Sequence, residues 1–261
     1  MTERVHLTLD RVALVELDNP PLNIVDGELL TDLDAALIAL EASAPDDVRA
    51  VVLTGAGKRA FSVGSNVKEF ETHRDAPDGG RERFELEARV AQRLAGLPVP
   101  TIAAIEASAL GGGLELALCC DLRVASKRAA LGLPEVRLAV TPSTGGTQRL
   151  PRIVGVARAK ELLLTGRVID AAEAYRIGLV NEVVPAGRAA ARAREIAAEI
   201  ADRGPLAVRA VKTLVDDAFD RPLGDGHRAE TDTSVRIFAT DDLLEGARSF
   251  IEKRDPTYHG R

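Results

Sequence analysis

The stretch that decides the fold is Leu110–Gly111–Gly112–Gly113–Leu114–Glu115–Leu116–Ala117. Three glycines open a short apolar helix, so another molecule can approach the backbone closely and the free amides of the first turn favour negative charge. The alternative is that the glycines only allow the helix to pack tightly on a sheet. The triplet alone leaves both interpretations open.

Two acids lie in apolar surroundings. Glu115 falls in the first turn of this helix, and Glu135 follows Pro134 in a predicted loop between apolar runs. Carboxylates in such places are costly to ionise, and their raised pKa values suit acid/base work. Together with free amides they could manage the proton transfers and the charge of an enolising thioester. Alternatively, Glu115 only favours the helix dipole and Glu135 is solvated.

Outward from this stretch, alternating and continuous apolar runs predict strands, and apolar residues spaced three and four apart predict helices. The predicted strands are Val5–Leu9 and Val12–Leu17, expected as a hairpin, then Val48–Thr54, Thr101–Ile105 and Leu122–Ser126. The predicted helices are one from Gly27 that Pro45 and Asp46 end, and one over Glu82–Leu94. Strand, turn, helix and strand at this spacing are typical of right-handed βα crossovers.

After about Pro142 the chain is predicted to be almost wholly helical, with one short strand at Leu179–Val184. The predicted helices are Gly146–Ile153, Ala157–Leu164, Ala171–Tyr175, Ala189–Asp202, Pro205–Phe219, Arg228–Ala239 and Leu243–Arg254. The Ala/Arg-rich helix that begins at Ala189 is interpreted as a solvated face, not an RNA-binding arm.

Composition limits the classes of function. The chain has 261 residues, 46% of them hydrophobic, enough for one large domain or a domain with a small appendage. A net charge of −6 and 3% aromatic residues do not suit a nucleic-acid binder. Cys119 and Cys120 are expected to be buried core thiols, and the four scattered histidines give no metal-ligand spacing. No apolar run approaches ~18 residues, so we expect a cytoplasmic protein that does not bind membranes.

A second glycine loop imitates a dinucleotide-binding motif. Gly55–Ala60 follows a strand and reads Gly-Ala-Gly-Lys-Arg-Ala. The residues after it are a poor start for a long helix, and no later strand carries the acid expected ~20 residues on. We therefore do not expect this loop to bind a nucleotide.

In combination, these motifs resemble the crotonase (enoyl-CoA hydratase/isomerase) superfamily nearly from end to end. Each motif alone is weak evidence for the family, but the order and spacing of the whole set are highly specific. The matching stretches are Asn19–Asn23, Ala60–Glu69, Leu110–Ala117, Leu133–Glu135, Gly145–Leu150, Glu245–Gly246 and Phe250–Arg254.

The resemblance implies an α/β fold. Residues 1–200 would form a crotonase-like spiral of ββα turns, and residues 201–261 a helical C-terminal trimerisation region. A homotrimer or a homohexamer, built as a dimer of trimers, is expected. The substrate would be an acyl-CoA thioester, and no cofactor or metal is implied.

The resemblance also implies site residues. The thioester oxygen would accept hydrogen bonds from the backbone amides of Ser65 and Gly112, with Glu115 and Glu135 as acid/base groups. The segment that contains Ser65, Asn66, Val67 and Lys68 would line the path of CoA. Phe250 and Lys253 match positions that reach CoA from a neighbouring subunit. In this sequence Ser65–Asn66 replaces the common Ala-Asp pair, and Val63 replaces a frequent Ala. Because the expected contact comes from a backbone amide, Ser65 should preserve it. The loss of the acid at Asn66 is expected to change how the loop is ordered.

The leading hypothesis is a 2-enoyl-CoA hydratase that adds water across the 2,3-double bond. The alternatives within the fold are a Δ3,Δ2-enoyl-CoA isomerase and a hydratase dedicated to one pathway, such as cyclic dienoyl-CoA. A non-catalytic scaffold or RNA-binding relative fits less well, since the chain is acidic and has both glutamates. A serine hydrolase is opposed by the lack of a G-x-S-x-G motif.

Overall fold

The computed structural model describes residues 3–43 and 47–261, and its strands form two sheets. In this part of the chain the strands are β1 (Val5–Thr8), β2 (Val12–Leu17), β3 (Ala50–Gly55), β4 (Ala60–Ser62), β5 (Thr101–Ile105), β6 (Ser108–Leu110), β7 (Leu122–Ser126), β8 (Ala130–Gly132), β9 (Ile169–Asp170) and β10 (Glu182–Val184).

The helices fill the connections and the C-terminal region. They are α1 (Gly27–Ala42), α2 (Phe70–Arg74), α3 (Arg81–Ala95), α4 (Gly112–Cys119), α5 (Gly146–Val154), α6 (Val156–Thr165), α7 (Ala171–Arg176), α8 (Ala189–Ala201), α9 (Pro205–Asp216), α10 (Leu223–Phe238) and α11 (Asp241–Glu252). Short 3-10 helices span Val67–Glu69, Glu135–Leu138 and Asp217–Phe219.

The larger sheet has the strand order β1-β2-β3-β5-β7-β10. The β1–β2 hairpin is antiparallel, as predicted, and every other neighbouring pair is parallel. Strands β3 and β5 are covered on both faces, which is why their sequences are almost continuously apolar. The predicted strand at Leu179–Val184 shortens to β10.

The smaller sheet has the order β4-β6-β8-β9 and was not predicted. Its strands are two or three residues long, too short to show a period of two in the sequence. Each successive turn of the chain adds one strand to each sheet: β3 and β4, then β5 and β6, then β7 and β8. This repetition is the expected spiral of the crotonase fold.

The main core lies between the two sheets and the helices α1, α3 and α4. Cys119 and Cys120 are free and buried there, as predicted, and burial raises the pKa of the Cys119 thiol to about 11. A second core covers the opposite face of the larger sheet. The interpretation of the Ala/Arg-rich helix as a solvated face was wrong: Ala189, Ala193 and Ala197 of α8 are fully buried in this second core.

The C-terminal helices α9–α11 bury few apolar side chains. Helix α10 begins five residues earlier than predicted, at Leu223. The division of the chain at residue 200 stays a prediction, and the predicted helix stop at Pro45 and Asp46 lies outside the described residues. No helix in residues 3–43 and 47–261 has the length and apolarity needed to cross a bilayer.

Candidate active site

The glycine triplet meets the loop after β4. Strands β4 and β6 are parallel neighbours, so the residues that follow their carboxyl ends lie side by side. A Cβ on Gly64, whose φ is +85°, would lie 2.9 Å from the amide nitrogen of Gly112, and a Cβ on Gly112 would lie 4.0 Å from the amide nitrogen of Ser65. Within the described part of the chain, neither amide donates to a protein acceptor. Two free N–H groups therefore lie next to each other.

The first and third glycines of the triplet are each needed for a different structural reason. Gly111 has a φ of +53°, and a Cβ there would lie 3.3 Å from Oε1 of Glu135. Gly113 packs so closely that its Cβ would lie 2.3 Å from the carbonyl oxygen of Ser62 on β4. The tight packing that the sequence offered as one interpretation is therefore present at Gly113, and it brings the Gly112 amide to the loop. The approach of another molecule to these glycines stays a prediction.

Glu115 lies in the first turn of α4 and is only 2% exposed. Its Oε1 accepts hydrogen bonds from the backbone amides of Thr144, at 2.9 Å, and Gly146, at 2.7 Å. Burial raises the pKa of Glu115, and the two amides oppose that rise because they favour the charged form. A Cβ on Gly146 would lie 2.9 Å from Glu115 Oε1, so a larger residue here would push the carboxyl group of Glu115 from its place.

Glu135 is in a contrasting environment. It begins the 3-10 helix Glu135–Leu138, where the sequence predicted a loop. Both of its carboxyl oxygens are buried, and neither accepts a hydrogen bond from the described residues. Burial, with a smaller effect from the charge of Glu115, raises the pKa of Glu135 to about 7. An unpartnered carboxyl group in such a place favours the protonated form near neutral pH.

The loop after β4 is held from two sides. Asn23, 1% exposed, donates through Nδ2 to the carbonyl oxygens of Ala60 and Phe61, which fixes β4. Val25 donates its amide to the carbonyl of Gly64 at 2.9 Å. These contacts give the Asn19–Asn23 motif a structural role that the sequence did not reveal. The Gly55–Ala60 loop leads directly into β4, without the long helix that a dinucleotide motif needs.

Asn66 orders the next residues. Its Oδ1 accepts from the amide of Lys68 at 3.2 Å, and its Nδ2 donates to Glu69 Oε1 at 2.7 Å. An aspartate could accept in the same way but could not donate to Glu69. The replacement of the common acid therefore fits the carboxylate beside it, and Val67 and Lys68 remain exposed.

Phe250 and Lys253 lie at the end of α11. Phe250 is 85% exposed. Lys253 is exposed and ends the helix in a left-handed conformation, with a φ of +54°. Arg254 is held by Glu245 and Glu252, whereas Lys253 has no ion-pair partner among the described residues. Their contact with CoA across a subunit boundary stays a prediction.

The structure brings together Ser65, Gly112, Glu115 and Glu135. Sequence reasoning missed the amides of Thr144 and Gly146, which hold Glu115. The Gly145–Leu150 motif was the available signal, because a glycine pair before a helix often marks a close approach. Within the described ranges, no group of three or more His, Cys, Asp or Glu side chains is placed to hold a metal ion.

Comparison with known proteins decides the family. The model of the family described as enoyl-CoA hydratase/isomerase matches residues 8–261. The chain belongs to the enoyl-CoA hydratase/isomerase family. As a member of this family it is an enzyme of the crotonase superfamily, which confirms the resemblance drawn from the sequence.

Family relatives are similar over almost the whole chain. The short-chain-enoyl-CoA hydratase of Clostridium acetobutylicum is 38% identical, over 94% of this chain and 92% of its own length. The crotonyl-CoA hydratase of Syntrophomonas wolfei is 37% identical, over 95% of both chains. The crystal structure of an enoyl-CoA hydratase from Bacillus anthracis is 40% identical, with a TM-score of 0.93 over 99% of this chain and 100% of that one.

Proposed function

We propose that this family member hydrates 2-enoyl-CoA thioesters. The observation that carries the proposal is the meeting of two buried carboxyl groups with two amides that donate to no acceptor among the described residues. The amides of Ser65 and Gly112 would hold the thioester oxygen as negative charge develops on it. Water would add at C3 and a proton at C2, with no cofactor required.

The two glutamates divide the proton transfers. Glu115 accepts two backbone hydrogen bonds on Oε1, which favour its ionised form and leave Oε2 to take a proton from water. No described residue donates to the carboxyl group of Glu135, which favours its protonated form, so Glu135 delivers the proton to C2. An isomerase needs only one base to carry a proton between C4 and C2, and this chain has two carboxyl groups in contrasting environments.

The proposal is tested by the absorbance of the conjugated thioester. Purified protein is mixed with 2-enoyl-CoAs of several chain lengths, and the absorbance should fall as the double bond is hydrated. The same protein is mixed with 3-enoyl-CoA, on which an isomerase would raise that absorbance. Flat absorbance on every 2-enoyl-CoA would contradict the hydratase, and a rise on 3-enoyl-CoA alone would establish the isomerase.

In this proposal, CoA binds along the loop that follows β4. Ser65, Asn66, Val67 and Lys68 line its path, and Phe250 and Lys253 reach it from a neighbouring subunit. The ligand is polyanionic and the protein has a net charge of −6, so local cations must supply the attraction.

The substitution Asn66→Asp is expected to raise KM for 2-enoyl-CoA by about two- to tenfold, the scale of one lost hydrogen bond. The reason is that two carboxylates would then face each other where Asn66 now donates to Glu69. The double variant Asn66→Asp/Glu69→Gln restores a donor opposite an acceptor, and its KM should return toward the native value. A native KM in the single variant would show that this contact does not order the loop.

The substitution Lys253→Ala is expected to weaken CoA binding by about three- to tenfold at low salt, and less at high salt, as one screened charge contact does. Isothermal titration calorimetry with CoA measures the effect. Lys253→Arg keeps the charge and is the control. If Lys253→Ala binds CoA with unchanged affinity, the residue only ends α11.

We also propose a homotrimer or homohexamer joined through α9–α11. These helices expose large apolar side chains, which burial against another chain would remove from water. The most exposed are Leu223, Phe238, Phe250 and Ile251, together with Phe219 of the 3-10 helix between α9 and α10. Light scattering at micromolar concentration should give a mass of three or six chains, whereas a stable monomer of about 28 kDa would contradict the proposal.

A further inference from the structure

A third buried carboxyl group, besides those of Glu115 and Glu135, contacts the Ser143–Gly146 loop that holds Glu115. Glu87 on α3 is 1% exposed. Its Oε1 accepts from Arg83, with distances of 3.1 Å to Nε and 3.0 Å to Nη2, and the Arg83 side chain is 13% exposed. Its Oε2 accepts from the hydroxyl of Ser143 at 2.6 Å. In the sequence, Glu87 occupies the apolar face of α3, three and four residues before the buried Val90 and Ala91.

Ser143 links this carboxylate to Glu115. It directly precedes Thr144, whose amide donates to Glu115 Oε1. The hydrogen bond from the Ser143 side chain therefore restrains the backbone that holds Glu115 at that oxygen. The carboxylate of Glu87 also acts through space, because its charge contributes to the raised pKa of Glu115.

Few charged groups surround the carboxyl groups of Glu87 and Glu115. Arg83 faces Glu87 from the same helix, and Glu115 faces it from α4. On its other side Glu115 interacts with Glu135. Arg149 of α5 donates through Nη1 to the carbonyl oxygen of Thr144 at 3.1 Å, so a cation also contacts the loop that holds Glu115. Among the described residues, Glu87 is the carboxylate that is bonded both to a cation, Arg83, and to this loop, through the hydroxyl of Ser143.

Arg83 extends the network toward the β4 loop. Its guanidinium lies over the ring of Phe70, at 5.5 Å from the centroid, and over that of Phe84, at 5.8 Å. Phe70 begins α2, directly after the 3-10 helix that Asn66 caps. Side-chain contacts thus run from the segment after Ser65, through Arg83, Glu87 and Ser143, to the loop that holds Glu115.

We propose that Glu87 is a positioning residue that holds the Ser143–Gly146 loop, and through it Glu115, in the geometry needed for proton transfer. This inference rests on the proposed hydration for its catalytic consequence. Glu87 touches neither substrate nor reacting atoms in this proposal. Arg83 supplies its counterion, and the hydroxyl of Ser143 transmits its position.

The test compares Glu87→Gln, Ser143→Ala and Ser143→Thr in the full-length chain. Glu87→Gln removes the charge, and Ser143→Ala removes only the link to the loop and leaves the Arg83–Glu87 pair intact. Each should lower kcat for 2-enoyl-CoA by about tenfold with KM nearly unchanged, on the scale of one charge-assisted hydrogen bond. Ser143→Thr keeps the hydroxyl and should retain most of the native kcat.

The matched control is Asp34→Asn. Asp34 on α1 accepts from Arg89 and Arg93 on another face of α3, so the variant weakens a similar ion pair away from Glu115. Its kcat should equal that of the native protein. Thermal melting of every variant separates lost stability from lost positioning, and Ser143→Ala preserves the test if Glu87→Gln does not fold.

A second readout does not depend on hydration. Titration of protein labelled with ¹³C at the glutamate carboxyl carbon reports Glu115, whose resonance is assigned by its loss in Glu115→Gln. Glu87→Gln should lower the pKa of Glu115, because a neighbouring negative charge is removed. An unmoved titration with a native kcat in both Glu87→Gln and Ser143→Ala would overturn the inference. A raised pKa of Glu115 in Ser143→Ala would support the positioning, because a loosened Thr144 amide no longer favours the ionised form. The same shift in a protein that hydrates no 2-enoyl-CoA would support the positioning and overturn the proposed function.

Discussion

The substitution Gly112→Pro is expected to lower kcat/KM for 2-enoyl-CoA hydration by about 10²–10³-fold, the usual cost of removing one oxyanion donor. Gly112 is the first residue of α4, where proline is tolerated because its missing N–H has no partner within the helix. Gly111 before it has a backbone conformation that glycine adopts readily. The substitution therefore removes the donor without stopping the helix.

Gly112→Ala is the matched control for this prediction. A Cβ there would lie 3.7 Å from its nearest neighbour, the Cα of Gly64, which is ordinary contact. The alanine keeps the amide, so activity should stay within a few fold of native. If proline and alanine lowered kcat/KM equally, the shape of the loop would matter and the Gly112 amide would not.

The second large effect is expected from Glu115→Gln and Glu135→Gln. Each should lower kcat for hydration by about 10²-fold or more, the scale of a positioned acid or base. KM should change little, since the proposal assigns CoA binding to other residues. Glu195→Gln makes the same chemical change on the exposed surface of α8 and should leave kcat unaltered. If either active-site variant kept a near-native kcat, the hypothesis of two catalytic glutamates would fail.

The pH profile follows from the same assignment. Since burial raises the pKa of Glu135 to about 7, its proton is lost as the pH rises through neutrality. The value of kcat/KM for hydration should therefore fall on the alkaline side of about pH 7, and Glu135→Gln should remove that limb of the profile. A limb that persists in Glu135→Gln would assign the titration to another group.

Much of the site could be predicted because its residue types are unusual for their positions. Glu115 in an apolar helix and the three glycines before it are visible in the sequence, and the structure places them as expected. The strands that bring them to Ser65 were invisible, since β4, β6 and β8 are only three residues long. Here pairing between neighbouring strands, not local periodicity, fixes the structure.

The contacts that hold Glu115 and the burial of α8 were not predicted, for reasons other than strand length. The groups that hold Glu115 are backbone amides of Thr144 and Gly146, and a backbone donor has no residue type to recognise. The burial of α8 was missed because alanine and arginine together suggest a solvated helix. The alanines recur every four residues at 189, 193, 197 and 201, and that spacing defines the face that lies on the larger sheet.

The smaller sheet has a further consequence. Ser65, Gly112 and Glu135 each follow, by two or three residues, the end of one of three adjacent parallel strands, β4, β6 and β8. Neighbouring strands lie about 4.8 Å apart, so the spacing of these groups is set by the hydrogen bonds of the sheet. In the proposed mechanism, the thioester oxygen would therefore lie between the amides that follow β4 and β6, and Glu135 would lie about one strand spacing further along the sheet. If that mechanism holds, exchanging the side chain at position 135 would change the reaction without moving the two amides proposed to hold the thioester oxygen.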